Sequence, residues 1–133
     1  MFITKILYRK LRFDKRTIRA GRNALNCMIA DSFPKQMLGL MYRKSLRKSE
    51  GMLFIFRREG IYPIWMMNMN FPIDIIWISK EGKVVDVEEN AVPCRGFFGC
   101  KSYHPRKKSQ YVLEMCSGEA GRRGIKIGSR IRL

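Results

Sequence analysis

Acidic residues are scarce in this chain, histidine is almost absent, and no apolar run is long. Only 11 Asp and Glu stand against 27 Lys and Arg, a formal net charge of +16. A field of that size favours polyanionic partners, nucleic acid first and an acidic membrane surface second, and says nothing about fold. The single histidine, His104, has no Ser–His–Asp or Cys–His arrangement beside it and reads as a surface residue. The four cysteines lack a short Cys-x-x-Cys knuckle, which argues against a zinc site built from Cys94, Cys100 and His104. No metal or cofactor is therefore expected. The apolar start Phe2-Ile3 and Ile6-Leu7 is interrupted by Lys5 and followed by Arg9-Lys10, so it is no secretion signal. No stretch reaches the length of a transmembrane helix. A cytoplasmic chain is expected, with its oligomeric state left open by the sequence.

What is present is enough for a core. At 133 residues the chain is long enough for one domain without disulfide or metal staples. The stretch Gly51–Ile78 holds both tryptophans together with Met52, Met66, Met67 and Met69. Within it Met52–Phe56, Ile61–Met66 and Ile73–Ile78 are short apolar runs between turn formers, the pattern of strands covered on both faces. Pro63 and Pro72 belong at strand starts, edges or bends, because proline gives the ladder no donor. Ser79-Lys80-Glu81-Gly82 offers a tight turn into Lys83–Glu88, and the two sides read as a β-hairpin.

The flanks follow the same logic. Residues 1–22 carry eight cations and one acid, Asp14, and form a basic N-terminal segment set apart from a β-rich domain at 23–133. Phe2, Ile3, Ile6, Leu7 and Leu11 share a helical stripe, so the segment is either a basic amphipathic arm or, the preferred alternative, an N-terminal strand. Ala24–Ala30 alternates as a strand. Asp31 or Ser32 then caps a helix with Pro34 in its first turn, running to about Met41. Tyr111–Cys116 alternates too, with Tyr111, Leu113 and Met115 on one face and Val112, Glu114 and Cys116 on the other. A short helix over residues 119–123 ends at Gly124, which suits the left-handed position there.

Candidate functional residues fall into three groups. Arg9, Lys10, Arg12, Arg16, Arg19 and Arg22, with Arg106, Lys107 and Lys108, form the candidate polyanion surface, with Phe97, Phe98 and Tyr103 interleaved as a platform for stacking bases. Trp65, Asn68, Asp74, Arg43 and Glu114 form a candidate pocket for a small molecule or sugar. Asp74 opens an apolar run and needs a buried partner, which Arg43, Asn68 or a cluster of backbone amides can supply. Cys94 and Cys100 flank a glycine-containing loop and are a candidate disulfide. The acidic cluster Asp86, Glu88 and Glu89 reads as a solvated edge pairing with surplus Arg and Lys. With no recognisable catalytic motif, the best reading is a non-catalytic binding module for nucleic acid or another polyanion. The alternative is a small-molecule or carbohydrate pocket, hydrolytic if one carboxyl has a raised pKa.

Several ordered segments together resemble the family catalogued as domain of unknown function 192. They are Gly39-Leu40-Met41-Tyr42-Arg43, Glu50–Phe56, Trp65-Met66-Met67-Asn68 and Pro72-Ile73-Asp74. Glu89–Cys94, Cys100–Tyr103, Tyr111–Glu114 and Gly124–Gly128 continue the series. The resemblance implies a mainly β domain, compact and sandwich- or jelly-roll-like, with one or two short helices, and no established activity. It also implies frequent export behind a leader, from which the short basic segment departs.

Overall fold

The computed structural model describes residues 2–94 and 99–133. Its frame is a mixed six-stranded sheet in the order β1-β2-β3-β8-β5-β6. The strands are β1 (Lys15–Ala20), β2 (Asn23–Ala30), β3 (Glu50–Gly60), β5 (Ile73–Ile78), β6 (Val84–Ala91) and β8 (Ser109–Cys116). Two short strands, β4 (Ile64–Trp65) and β7 (Ser102–Tyr103), pair separately. All neighbours run antiparallel except β2 and β3, whose parallel pairing needs a crossover. That crossover carries α2 (Phe33–Leu38), with Ser32 at its N-cap and Pro34 in its first turn. It ends at Leu38 rather than near Met41, because Gly39 takes φ +50 and turns the chain out of the helix.

The mainly β expectation holds, and the central runs behave as their composition requires. Every residue of β5, IDIIWI, is buried, since the strand lies between β8 and β6 and both faces are covered. The β5–β6 hairpin closes as expected, Gly82 at φ +86 donating to the Ser79 carbonyl. Of Ile61–Met66 only Ile64–Trp65 is strand, since Pro63 provides no donor there. The N-terminal segment combines both alternatives: Phe2–Lys10 is helix α1, and Lys15–Ala20 is the edge strand β1. Leu7 and Leu11 of the apolar stripe pack near Met41 and Met67, whereas Phe2 and Ile3 stay exposed.

Each sheet face carries its own core. Ile18, Leu25, Leu53, Ile76 and Leu113 line one face, covered by Ala120, Ile125 and Ile131 from the C-terminal end. Met52, Phe54, Ile75, Trp77 and Val112 line the other, covered by Leu40, Met66 and Met69. A third short helix, α3 (Glu119–Arg122), is tied to the β1–β2 turn by the buried Arg123. Its guanidinium donates to the carbonyls of Ala20, Asn23, Ala24 and Lys48 and lies 3.4 Å from Glu119. Gly21 is required at that turn, since a Cβ would overlap the Arg123 carbonyl. The sheet is not a closed barrel, but the C-terminal residues reach both of its edges. Arg132 bridges Arg19 on β1, and Arg130 bridges Lys83 just ahead of β6. Covering an edge in this way removes an exposed template for aggregation.

Candidate functional site

The five pocket candidates do not converge. Asp74, fully buried, accepts hydrogen bonds from the backbone N–H groups of Asn90 (2.9 Å), Gly118 (3.0 Å) and Ala120 (2.9 Å). Of the three partners considered for it, the backbone amides are the ones used, and the carboxylate is an anchor between β5, β6 and α3. Asn68 sits at φ +60 and donates from its side chain to the Tyr42 hydroxyl, while its carbonyl accepts the Tyr42 N–H. Tyr42 is itself left-handed at φ +67, so the two residues lock a pair of tight turns. Arg43 stacks over the Phe13 ring at 5.8 Å, away from Asp74. Trp65 and Glu114 alone of the five line one cavity.

That cavity, of about 160 Å³, opens between α2, β4 and the sheet. Its walls are Met37, Met41, Met66, Met69, Phe54 and Ile64. Glu114 forms its buried end and Trp65, 41% exposed, its open end. Glu114 reaches the cavity because strict alternation on β8 turns it with Val112 toward the second core. Among the described residues none donates a hydrogen bond to its carboxyl. Burial disfavours the ionised form and pushes its pKa up to about 8. Gln36 on the rim is already committed, donating to the Ala30 and Ile55 carbonyls.

The cationic candidates divide as well. Arg9, Lys10, Arg12, Arg16, Arg19, Arg22, Lys107 and Lys108 are exposed. Arg106 is not a free cation. Its guanidinium grips Asp86 at 2.8 Å and 3.3 Å, and its backbone N–H adds a third bond at 2.8 Å. Asp86 thus pairs with an arginine as expected, but it is buried rather than solvated. Burial pushes its pKa up, but the bonds from Arg106 and Val87 prevail and hold it below its ordinary value. The hydrogen bonds to Asp86 raise Arg106 in turn.

The C-terminal seam adds Lys83, Arg130 and Arg132 to the candidate cation Arg19. Arg19 and Arg132 exchange both backbone hydrogen bonds and stand directly opposite, whereas Lys83 and Arg130 stand opposite between the flanking bonds from Val84 N–H to the Ser129 carbonyl and from Ile131 N–H to the Gly82 carbonyl. Ile131 between them points inward, so Arg130 and Arg132 share the outer face. Among the described residues none of these four cations has a carboxylate partner within ion-pair distance. Like charges placed directly across a ladder repel. The alternation Arg130-Ile131-Arg132 was the available signal, and the pairing with Arg19 and Lys83 was not legible.

The loop near Cys94 gives a mixed outcome. Cys94 and Cys100 are joined by a disulfide, with Cα atoms 5.3 Å apart, so neither offers a thiolate to a metal. Such a bond persists in oxidising compartments and is reduced in the cytosol. His104 is exposed, with Nδ1 3.2 Å from the Ser102 carbonyl. Tyr103 is buried under Lys101, which removes it from the stacking platform. Phe97 and Phe98 lie outside the described residues.

Comparison with known proteins agrees with this architecture. The model of the DUF192 family, described as an uncharacterized ACR, matches residues 16–133. A crystal structure of a protein from Sinorhizobium meliloti 1021, described as a "putative transcription regulator", superposes with a TM-score of 0.84 at 30% identity, covering 92% of this chain and 96% of that one. A protein of unknown function from Novosphingobium aromaticivorans DSM 12444 gives 0.80 at 30% identity, covering 92% and 86%. No curated protein matches the chain. No helix among the described residues is long and apolar enough to cross a membrane.

Proposed function

The chain belongs to the DUF192 family, whose description carries no activity, and from that premise we propose that it is a non-catalytic module that binds nucleic acid through its cationic surface. One observation carries the reading: the seam sets Arg19 against Arg132 and Lys83 against Arg130, with no carboxylate of the described residues within ion-pair distance. Such pairs cost stability unless an anion lies over them, and a run of backbone phosphates is suited to that role. The distribution of acids supports it. Asp74, Asp86, Glu114 and Glu119 are buried, whereas Arg123 is the one buried cation among the described residues, so the surface is more basic than composition alone suggests. The similarity to a protein described as a "putative transcription regulator" points the same way.

The test is fluorescence anisotropy with single- and double-stranded DNA and RNA across a salt series. The Arg130→Ser/Arg132→Ser double variant is expected to bind at least tenfold more weakly at low salt, with a log–log salt slope about 2 units shallower. Removing the like-charge pairs relieves repulsion of roughly 0.2–1 kcal/mol each, which offsets the lost bond from Arg130 to the Glu81 carbonyl, and thermal unfolding checks that the variant is folded. Equal binding by the double variant and the parent, or binding insensitive to salt, would sink the proposal.

A further inference from the structure

The cavity above Glu114 is separate from the cationic seam and asks for an occupant of a different kind. It is lined by Leu40, Met41, Phe54, Trp65, Met66 and Glu114, all from segments that carry the family resemblance. Its volume of about 160 Å³ is comparable to the roughly 150 Å³ apolar cavity that accepts a benzene ring. Apart from Gln36, which is committed to two carbonyls at the rim, the side-chain walls are mainly thioether, aliphatic and aromatic, which suits a ligand with a largely apolar body. One feature breaks that pattern. A carboxyl that is 4% exposed stands at the inner end with no hydrogen bond from any described residue. Buried polar side chains ordinarily have a partner, and this one has room beside it for a guest to supply it.

We propose that the cavity binds an uncharged, ring-sized molecule with adjacent N–H and C=O groups, a lactam or cyclic amide edge, paired reciprocally with the Glu114 carboxyl. The carboxyl in its neutral form donates through O–H and accepts through C=O, and a cis-amide edge offers the complementary pair. A purely apolar ring would fill the space and leave Glu114 unsatisfied. A cation would have to shed its hydration in an apolar site on a protein of net charge +16. Trp65 at the open end covers the ring once it is seated, as amphipathic aromatics do at half-wet sites. Burial keeps the carboxyl protonated at neutral pH, with its pKa about 8, in agreement with this pairing.

The probe is 2-piperidone, followed by calorimetry against the full chain, with N-methyl-2-piperidone and piperidine as comparisons. Saturable binding of 2-piperidone at pH 6 is expected, at least tenfold tighter than the N-methyl compound, which lacks the donor. At pH 9 affinity should fall about tenfold, because only the protonated fraction of Glu114 competes for the lactam. Glu114→Gln presents a permanently neutral amide of the same shape, so it should retain binding within a few-fold and lose the pH dependence. Glu114→Leu should bind at least tenfold more weakly. Its fold is checked by thermal unfolding, and if it does not fold, the parent's pH profile and the Gln variant still decide. The proposal is overturned by no saturable binding at pH 6, by equal binding of the N-methyl compound, by preference for piperidine, or by a parent profile that does not weaken at pH 9.

Discussion

Between about pH 4.5 and pH 8 the protein is expected to lose stability as the pH rises, and Glu114→Gln is expected to abolish that loss. The unfolded chain releases the Glu114 proton near the ordinary value of 4.5, whereas the folded chain holds it to about 8. In this window the native state binds one proton more than the unfolded state, so raising the pH favours unfolding. The limiting slope for one group is roughly 1.4 kcal/mol per pH unit. The contribution is fully present below the unfolded value, declines through the window, and levels off above the folded value. Several kcal/mol is a large share of the 5–15 kcal/mol that holds a typical domain together. Asp86 has the opposite sign. Its lowered pKa removes stability only as the pH falls through and below its ordinary value of 3.8, so the two effects do not overlap. Urea denaturation at pH 5, 6.5 and 8 on the parent and the Gln variant reads the difference directly. Parallel pH profiles for the two proteins would show that Glu114 is ionised in the fold and that its burial is less complete than the geometry indicates.

Replacing Asp74 by alanine is expected to destabilise the protein by roughly 3–6 kcal/mol, the largest loss foreseen for a single side chain here. The carboxylate caps three backbone N–H groups on two different elements, at Asn90 and at Gly118 and Ala120. Hydrogen bonds to a charged acceptor contribute about 1.5–3 kcal/mol each, and the orphaned donors keep their desolvation cost. Asn90 adds to the loss, because its φ of +56 is held in part by the bond to Asp74. Asp74→Asn keeps one acceptor oxygen and turns donors toward the remaining amides, so it should lie between alanine and the parent. Chemical denaturation followed by circular dichroism measures all three. A loss below about 1 kcal/mol for the alanine variant would show that water reaches the three amides. Neither variant should alter nucleic-acid binding at temperatures where it remains folded, since Asp74 lies in the sheet interior and not on the seam.

The two residues differ in how far the sequence announced them. Asp74 at the head of an apolar run declares a buried carboxylate in need of a partner, which Arg43, Asn68 or a cluster of backbone amides can supply. Which option applied depended on α3 lying against the start of β5, a contact between residues 46 apart in the chain. Glu114 was assigned by alternation to the face opposite Leu113 and Met115, and β8 confirms that face. That its oxygens would meet a cavity instead of a hydrogen-bond donor depended on where α2 and β4 pack. Asp86 shows the converse. Its neighbours Glu88 and Glu89 suggested a solvated cluster, yet its partner Arg106 arrives from 20 residues away.

Local chemistry thus settled what local chemistry governs. Alternation fixed the faces of β2 and β8, and unbroken apolar runs marked β5. Proline marked the start of α2, where Ser32 holds the N-cap position without a side-chain capping bond, while Gly82 and Gly124 marked a turn and a helix end. The ordered segments were specific enough to place the chain in its family. Periodicity reports which side of an element a residue occupies, but it is silent on which element lies across from it. Strand order, the reach of the C-terminal residues to both sheet edges, and the meeting of Arg19 with Arg132 are products of long-range pairing. So are the capture of Arg106 by Asp86 and the placing of Glu114 at the inner end of a cavity. Those pairings are selected by the burial of whole faces at once, and only the assembled sheet decides them.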